Sequence, residues 1–345
     1  MKVKILYEFK TGPYGGVNQF LKALKDYFEK SNEYTDDLEE ADMILFNSCN
    51  NLSQIIAAKQ LYPDKIFVQR IDGPARLYNR MSDKRDLVTN TVNRYIADAT
   101  IFQSDFSRDM NYQMGLCKNQ FETTIINATD ESIFNSNNKA EFGVSGKVRL
   151  IATSWSKNWN KGFDVYQYLD QNLDTNRYEM TFVGNTPVEF RNIVHKPPLD
   201  SLHLAEELKK HDIYITASKK DPCSNSLIEA LSCGLPAIVL HDGGHPEIVK
   251  EAGEMFYDKI KIIELIDKVA NDYGSYTQKI NVMKMSDVGA HYAEFLKKIE
   301  VEYNKGKIPV KKLTSINLYK IRLTELFLKI SEKLNSVSQK WWKKE

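Results

Sequence analysis

The sequence predicts an α/β protein of two domains, each built on a mostly parallel sheet, with an amphipathic helix at the C-terminal end. Three observations predict it. Short apolar runs alternate with longer segments of helical spacing, the alternation restarts after a polar stretch near the middle, and 345 residues exceed the roughly 100–200 of one ordinary domain. Hydrophobic residues make up 42% and charged residues 27%, which excludes a disordered or fibrous chain.

The first element is an apolar strand from Val3 to Tyr7. A Gly-containing loop, Thr11-Gly12-Pro13-Tyr14-Gly15-Gly16, leads into a helix whose apolar positions Val17, Phe20, Leu21, Leu24, Tyr27 and Phe28 recur at three and four. Strands are predicted next at Met43–Phe46, Ile66–Gln69, Thr100–Gln103 and Thr123–Ile126, with helices over Asn51–Leu61 and Phe106–Met114. Strands and helices alternating in this way give a parallel sheet with helices covering its faces. The stretch NSNNKAEFGVSGK, residues 135–147, is polar and rich in Asn, Ser and Gly, the composition of a linker. The alternation then resumes with strands at Val148–Thr153, Tyr178–Val183, Ile213–Thr216 and Ala237–Leu240. Helices are expected near Phe163–Leu173, Leu202–Lys210, Ser226–Cys233 and Ile260–Tyr273, and another over Asp287–Tyr303. The predicted organisation is a Rossmann-like domain over 1–138, a second over 139–285, a helix over 286–304 packing back toward the first domain, and a basic tail over 305–345.

Four cysteines, Cys49, Cys117, Cys223 and Cys233, stand far apart with no CxxC pair, so neither a zinc site nor a disulfide framework is indicated. The N-terminus turns polar too early for a signal peptide, and no run of about 18 apolar residues occurs. A cytoplasmic location is expected, with a peripheral position on the inner membrane face open.

The segment from Ser218 to Pro236 carries the densest chemistry. Ser224, Asn225 and Ser226 fall where a helix should begin, and free backbone N–H groups there form an anion site. Asp221 precedes that turn and Glu229 lies about one and a half turns inside the helix, so two carboxylates could flank a ligand whose phosphates rest on the helix start. An ordinary capped helix with Glu229 facing solvent is the plainer alternative. At the end of a predicted strand, Arg70-Ile-Asp72-Gly-Pro74 is open to two readings: Asp72 orienting a sugar or acceptor hydroxyl with Arg70 on a phosphate, or a turn held by an Arg–Asp ion pair. His245 lies near the proposed phosphate site without a visible partner. Trp155 and Trp159 flank the loop before Lys161, and Trp155 is expected to close a core. No histidine has metal-ligand spacing, and no metal or other cofactor is expected.

Asp221-x7-Glu229, the Ala-Leu-x-Cys-Gly-x-Pro that follows it, and Gly243-Gly244-x-Pro246-Glu247-Ile-Val together resemble the C-terminal signature of the retaining glycosyltransferases of family four (glycosyltransferase group 1). Gly15-Gly16-Val17, Asn127-Ala-Thr-Asp130-x3-Phe134 and Lys161-Gly162 match further pieces in the right order, over about residues 1–300. The resemblance implies the GT-B fold, two Rossmann-like domains whose parallel sheets face a central cleft. It also implies a metal-independent hexosyltransferase-type enzyme that moves a sugar from a nucleotide-sugar donor to an acceptor hydroxyl, on a surface glycan or lipid-linked acceptor. By that resemblance Glu229 would bind the donor ribose and Asp221 the transferred sugar. Ser224, Asn225 and Ser226 would offer amides to the diphosphate, with Gly15 and Gly16 approaching from the other domain, and Lys161 would neutralise the leaving group. Arg70, Lys157 and His245 would be further phosphate or acceptor contacts, and Asp72 a catalytic carboxylate. Three departures stand out: Asp221 replaces the usual Glu, Ser156 stands where an Arg is common, and Gln69-Arg-Ile-Asp-Gly-Pro74 replaces a His-bearing segment. A nucleotide-sugar epimerase or hydrolase of the same fold, or a non-catalytic nucleotide- or glycan-binding protein, are the alternatives.

The net charge of +1 hides an asymmetry. From Lys305 onward there are eleven basic and three acidic residues, which leaves 36 basic against 43 acidic over residues 1–304. The acidic body argues against nucleic acid as a partner. In the tail, Ile316, Tyr319, Leu323, Leu326, Phe327, Ile330, Leu334, Val337 and Trp341 follow helical spacing, with Lys320, Arg322, Lys329, Lys333 and Lys340 elsewhere on the wheel. Residues 314–345 therefore fit either an anionic membrane surface or an acidic face of the protein's own body or a second copy.

Overall fold

A computed structural model describes residues 1–11, 15–79, 82–307 and 309–342, with side chains as far as Lys333. Gly12, Pro13 and Tyr14 of the glycine loop, and the side chains of Leu334, Val337, Lys340 and Trp341, lie outside the described residues. The chain forms two compact units. The first comprises Met1–Glu8, Lys25–Ile125 and Gly289–Glu345, and the second Phe9–Leu24 and Ile126–Val288.

The first unit holds a five-stranded parallel sheet of β1 (Val3–Leu6), β2 (Met43–Asn47), β3 (Ile66–Ile71), β4 (Ala99–Phe102) and β5 (Phe121–Thr124), side by side in sequence order. β2, β3 and β4 are buried along their whole length, which is why they read as apolar runs, interrupted only by the buried polar residues Asn47, Gln69, Arg70 and Thr100. β1 stands at the edge, where Val3 exchanges backbone hydrogen bonds with Glu33 and Thr35 and leaves no bare template for another chain. The crossovers carry α1 (Gly16–Lys30), α2 (Leu52–Leu61), a short turn α3 (Ala75–Tyr78), α4 (Arg85–Tyr95) and α5 (Asp105–Gln113). Ile44, Phe46 and Phe67 of the sheet pack under Ile55 and Ile56 of α2 and Val88 and Val92 of α4.

The second unit holds β6 (Val148–Ser154), α6 (Phe163–Asn172), β7 (Tyr178–Gly184), β8 (Val194–Lys196), α7 (Ser201–Lys209), β9 (Ile213–Thr216), α8 (Asn225–Ser232), β10 (Ala237–Leu240), α9 (His245–Val249), β11 (Gly253–Phe256), α10 (Ile262–Asn271) and α11 (Tyr273–Gln278). Its strands lie in the order β11-β10-β9-β6-β7-β8, all parallel. The direction of winding reverses between β6 and β9. In an open parallel sheet that reversal opens a crevice beyond the carboxyl ends of the two strands, because their crossovers leave toward opposite sides.

The expected linker behaves otherwise. Residues 135–147 belong to the second unit, where Ala140 donates its N–H to the Lys209 carbonyl at 2.9 Å and Lys139 reaches the His211 carbonyl at 3.1 Å. The chain changes unit at Glu8/Phe9, Leu24/Lys25, Ile125/Ile126 and Val288/Gly289. Polarity marked a surface segment correctly but said nothing about where the domains part.

Two helices close the chain, α12 (Met285–Asn304) and α13 (Ser315–Trp342). From Gly289 onward they belong to the first unit, where Lys297 pairs with Glu33 at 2.6 Å. Ahead of α13, Lys311 is pinned: its backbone N–H donates to Asp98 at 2.7 Å, and its ammonium to Asn119 at 2.6 Å and the Asn93 carbonyl at 3.0 Å. Asp98, fully buried, also lies 3.6 Å from the buried Lys59. α13 then packs on α4, with Ile321 completely buried and Leu318 and Leu328 joining the same core. Leu318, Ile321 and Leu328 are not members of the apolar stripe the sequence singled out. That stripe faces away from the unit: Ile316, Tyr319, Leu323, Leu326, Phe327 and Ile330 are 37–67% exposed. Docking of the stripe itself on the protein's own body is therefore corrected, since the helix has two apolar faces and the shorter one is buried.

Candidate functional site

The reversal between β6 and β9 brings together the loops that follow those strands. After β6 the chain passes Trp155 and Ser156 to a single 3-10 turn, Trp159–Lys161, capped by the Asn158 side chain, which accepts from the Asn160 N–H at 3.0 Å. After β9 it runs from Ala217 to Ser224. The two loops are stitched by the Lys219 N–H, which donates to the Asn160 carbonyl at 2.6 Å. That stitch sets Lys161 opposite Asp221, Nζ to Oδ2 at 3.1 Å, with only 19% and 11% of the side chains exposed. Burial would raise the Asp221 pKa, but the adjacent Lys161 ammonium outweighs it and holds the carboxylate below its ordinary range.

Asp221 is fixed from behind by the Gly243-Gly244 turn. Gly244 donates to the Asp221 carbonyl at 2.8 Å, and Gly243 has φ +64, where a Cβ would overlap that same carbonyl. The turn runs into α9, and its first residue, His245, is completely buried. Its Nδ1 lies 3.0 Å from the Leu240 carbonyl, which can only accept, so Nδ1 carries the proton. Burial lowers the imidazole pKa, and the ring is neutral at pH 7. Nε2 is then an acceptor, and among the described residues nothing donates to it.

α8 begins at this same place. Ser224 is its N-cap, yet no side chain caps the first turn, because the Ser224 hydroxyl faces Ser226 Oγ at 3.2 Å. By contrast, Ser104 caps α5 and Asp200 caps α7 through their side chains. The first-turn amides of α8 are left to an anion, reinforced by the helix dipole. Asn225 is oriented by Asn127, whose Nδ2 donates to its Oδ1 at 2.8 Å. Gly16, in the part of the chain that belongs to the second unit, abuts the Asn225 side-chain amide so closely that a Cβ would overlap it. Four residues beyond Asn225 on the same helical face, Glu229 is half-buried, and burial pushes its carboxyl up to about 8.

The structure thus gathers Lys161, Asp221, Ser224, Asn225, Ser226, Glu229, His245 and Gly16 in the second unit. Gly15 precedes Gly16 with open space where a Cβ would be. Lys157 is exposed on the loop after β6. Trp155 and Trp159 are 48% and 54% exposed, which corrects the expectation that Trp155 closes a core. The loop leaves both indoles exposed, and among the described residues Trp159 meets the ring of Phe163, edge-on at 6.1 Å.

Arg70 and Asp72 form a second cluster, in the first unit, at the carboxyl ends of β2, β3 and β4. Arg70 is completely buried and donates to Asp72 at 2.7 Å, Asn47 at 2.6 Å and Gln103 at 2.7 Å. Asp72 also accepts from Asn47 at 2.7 Å and Ser48 at 3.2 Å. Of the two readings of this segment, the ion pair is present. Asn47, Ser48 and Gln103 escaped sequence reasoning, although a polar residue closing an apolar strand was a usable signal. Among the described residues, no group of three or more His, Cys, Asp or Glu side chains gathers as a metal site.

Residues 192–286 match the family model for glycosyl transferases group 1. HepE from Anabaena, solved with UDP-glucose, is similar in fold with a TM-score of 0.65 at 14% identity, over 86% of this chain and 100% of that one. The lipopolysaccharide outer core galactosyltransferase WaaB gives 0.61 at 11% identity over 87% and 100%. Sucrose-phosphate synthase from Thermosynechococcus elongatus gives 0.58 at 13% identity over 82% and 77%. No curated protein sequence matches the chain. The likeness is one of fold: two parallel-sheet α/β units of the GT-B kind with a C-terminal helix.

Proposed function

We propose that the chain is a group 1 glycosyltransferase of the retaining, family-four type, which moves a sugar from a nucleotide-sugar donor to an acceptor hydroxyl. The observation that carries this reading is the partly exposed Lys161–Asp221 pair set beside the uncapped first turn of α8 at the sheet's reversal point. Support comes from the group 1 match over residues 192–286 and from a fold neighbour solved with UDP-glucose.

The roles follow from chemistry. The donor's diphosphate takes the amides of Ser224, Asn225 and Ser226, and Gly16 leaves room above Asn225. As the glycosidic bond breaks, negative charge grows on the departing phosphate, and a cation already in place stabilises that charge without reorganisation. Lys161 is that cation, bridging the phosphate and Asp221. Asp221, ionised and fixed at its backbone, accepts from hydroxyls of the transferred sugar. Of the phosphate and acceptor contacts open to His245, a neutral imidazole offering a bare Nε2 suits a hydroxyl donor better than an anion. Glu229, one turn deeper, takes the ribose hydroxyls, whose hydrogen bonds favour its ionised form. The acceptor attacks from the face the leaving group departs, and the leaving phosphate takes its proton. Donor binding belongs to the second unit and the acceptor side to the first, where Arg70 and Asp72 shape a polar strand end. The acceptor is a glycan or lipid-linked sugar, and the cytoplasm is the proposed compartment, in keeping with four cysteines spread far apart in the sequence without a CxxC pair.

Thermal-shift screening against UDP-, GDP-, ADP- and CMP-sugars, followed by product analysis with the donor that binds, tests the reading. Stabilisation by one nucleotide class and transfer with an unchanged anomeric configuration are expected. No stabilisation by any donor would overturn it, and a rearranged or hydrolysed donor alone would convert it to an epimerase or hydrolase.

A further inference from the structure

α13 is amphipathic twice over. Leu318, Ile321 and Leu328 bury one face against α4, in the core that α4 shares with α2, and Ile321 has no exposure at all. Half a turn round the helix, Ile316, Tyr319, Leu323, Leu326, Phe327 and Ile330 form an unbroken apolar band open to solvent. A monomer gains nothing from such a band, and six large apolar residues on one helix face mark an interaction surface rather than scattered exposure.

The surroundings of the band say what covers it. Exposed Lys320 lies along one border, and exposed Arg322, Lys329 and Lys333 along the other. Of the helix's two carboxylates over residues 315–333, Glu325 is turned to the docked half, and Glu332 falls on that same side of the wheel but is exposed. Glu325, largely buried, holds Arg322 at 2.8 Å and Lys329 at 2.7 Å. The band is therefore bordered by cations on both sides, four against the one Glu325 carboxylate that two of them share, which leaves a positive excess along it. Two copies pressed together along it would bring like charges into register, whereas a sheet of anionic headgroups over hydrocarbon satisfies band and borders together. No described helix is long and apolar enough to cross a membrane, so contact of this kind is in the plane of the interface. Tyr319 has the apolar ring and polar tip of an interfacial residue.

We infer that the outer face of α13 is a membrane-docking surface for anionic lipid bilayers, held flat on the first unit by its inner face. This is independent of the donor site in the second unit. The test is flotation of the full chain with vesicles of phosphatidylcholine alone and of phosphatidylcholine with about one third phosphatidylglycerol. The wild type should float with the anionic vesicles and not with the neutral ones. Leu326→Ser with Phe327→Ser should reduce the partition coefficient by about tenfold or more, since two large apolar side chains no longer enter the interface. Lys320→Gln and Lys333→Gln, both at exposed positions, should each reduce it by about fivefold. Neither pair touches the donor groups, so thermal shift by nucleotide sugar should be unchanged in both, which separates failure here from failure of the proposed activity. A wild type that stays unbound to anionic vesicles, or a double serine variant that binds equally well, overturns the inference. So does a wild-type dimer that Leu326→Ser with Phe327→Ser turns into a monomer, because a second copy then covers the band.

Discussion

At the scale of single residues, burial sets the charge states of Glu229 and His245, while the Lys161 ammonium overrides it at Asp221. Glu229 has the largest consequence. Its pKa is raised to about 8 in the folded chain, so between its ordinary value near 4.5 and about 8 the native state holds a proton that the unfolded state has lost. Its burial therefore penalises folding increasingly as pH rises through that window. Glu229→Gln should melt at the wild-type temperature near pH 5 and about 2–4 °C above it near pH 8.5, measured without ligand. Equal melting at the higher pH would mean the carboxyl is hydrated rather than buried. Lys161→Ala should reduce turnover by about a hundred- to a thousandfold, the usual size of a lost charge-stabilising donor, read as kcat with the donor saturating. The same variant leaves Asp221 buried without its partner, so a lower melting temperature should accompany the loss. Lys161, Asp221 and Glu229 were legible in the sequence because strand ends and helix starts have signatures at fixed spacing. The bare Nε2 of His245 and the polar ring around Arg70 were not, because they depend on which distant carbonyls and amides arrive beside them.

At the scale of elements, every predicted strand exists, because in a parallel sheet covered on both faces a strand is an apolar run. β8 and β11 were missed for the complementary reason. β8 is a three-residue Val-His-Lys strand at the sheet edge, largely exposed, and β11 opens on Gly253, so neither presents an apolar run. α4 was missed too: its sequence is rich in Thr, Asn and Arg, and only Val88 and Val92 are fully buried apolar residues. α13 shows the limit of pattern reading most clearly, since the stronger periodicity belongs to the face that does not dock. That assignment makes a contrast within one helix. Ile321→Ala should cost about 2–5 kcal/mol in chemical denaturation, the range for a fully enclosed aliphatic side chain. Ile330→Ala, on the open face, should stay within about 0.5 kcal/mol of wild type. A reversal of that order would place the other face of α13 against the core.

At the scale of the whole molecule, the near-zero net charge resolves into an acidic body and a tail of eleven basic and three acidic residues, and the tail is structural as well as charged. Removing everything after Asn304 takes away Lys311 from Asp98 and Ile321 from the α2–α4 core. The truncated chain should melt about 5–10 °C lower and bind an apolar dye, measured by calorimetry and fluorescence. An unchanged melting temperature would mean the tail adds nothing to the first unit. The two-domain order was legible because the strand and helix alternation stops and restarts. The points of passage between units were not, because a polar loop and a domain boundary share a composition. Those passages also order events during synthesis. The ribosome delivers all five strands of the first sheet early, then spends the whole of the second unit before it makes Ile321. Until then the surface of α2 and α4 that Ile321 closes stays open to water and to other nascent chains. The second unit, whose strands are contiguous in sequence, is finished before Ile321 is made, and the half-covered first unit is the part of the polypeptide that a chaperone would have to guard.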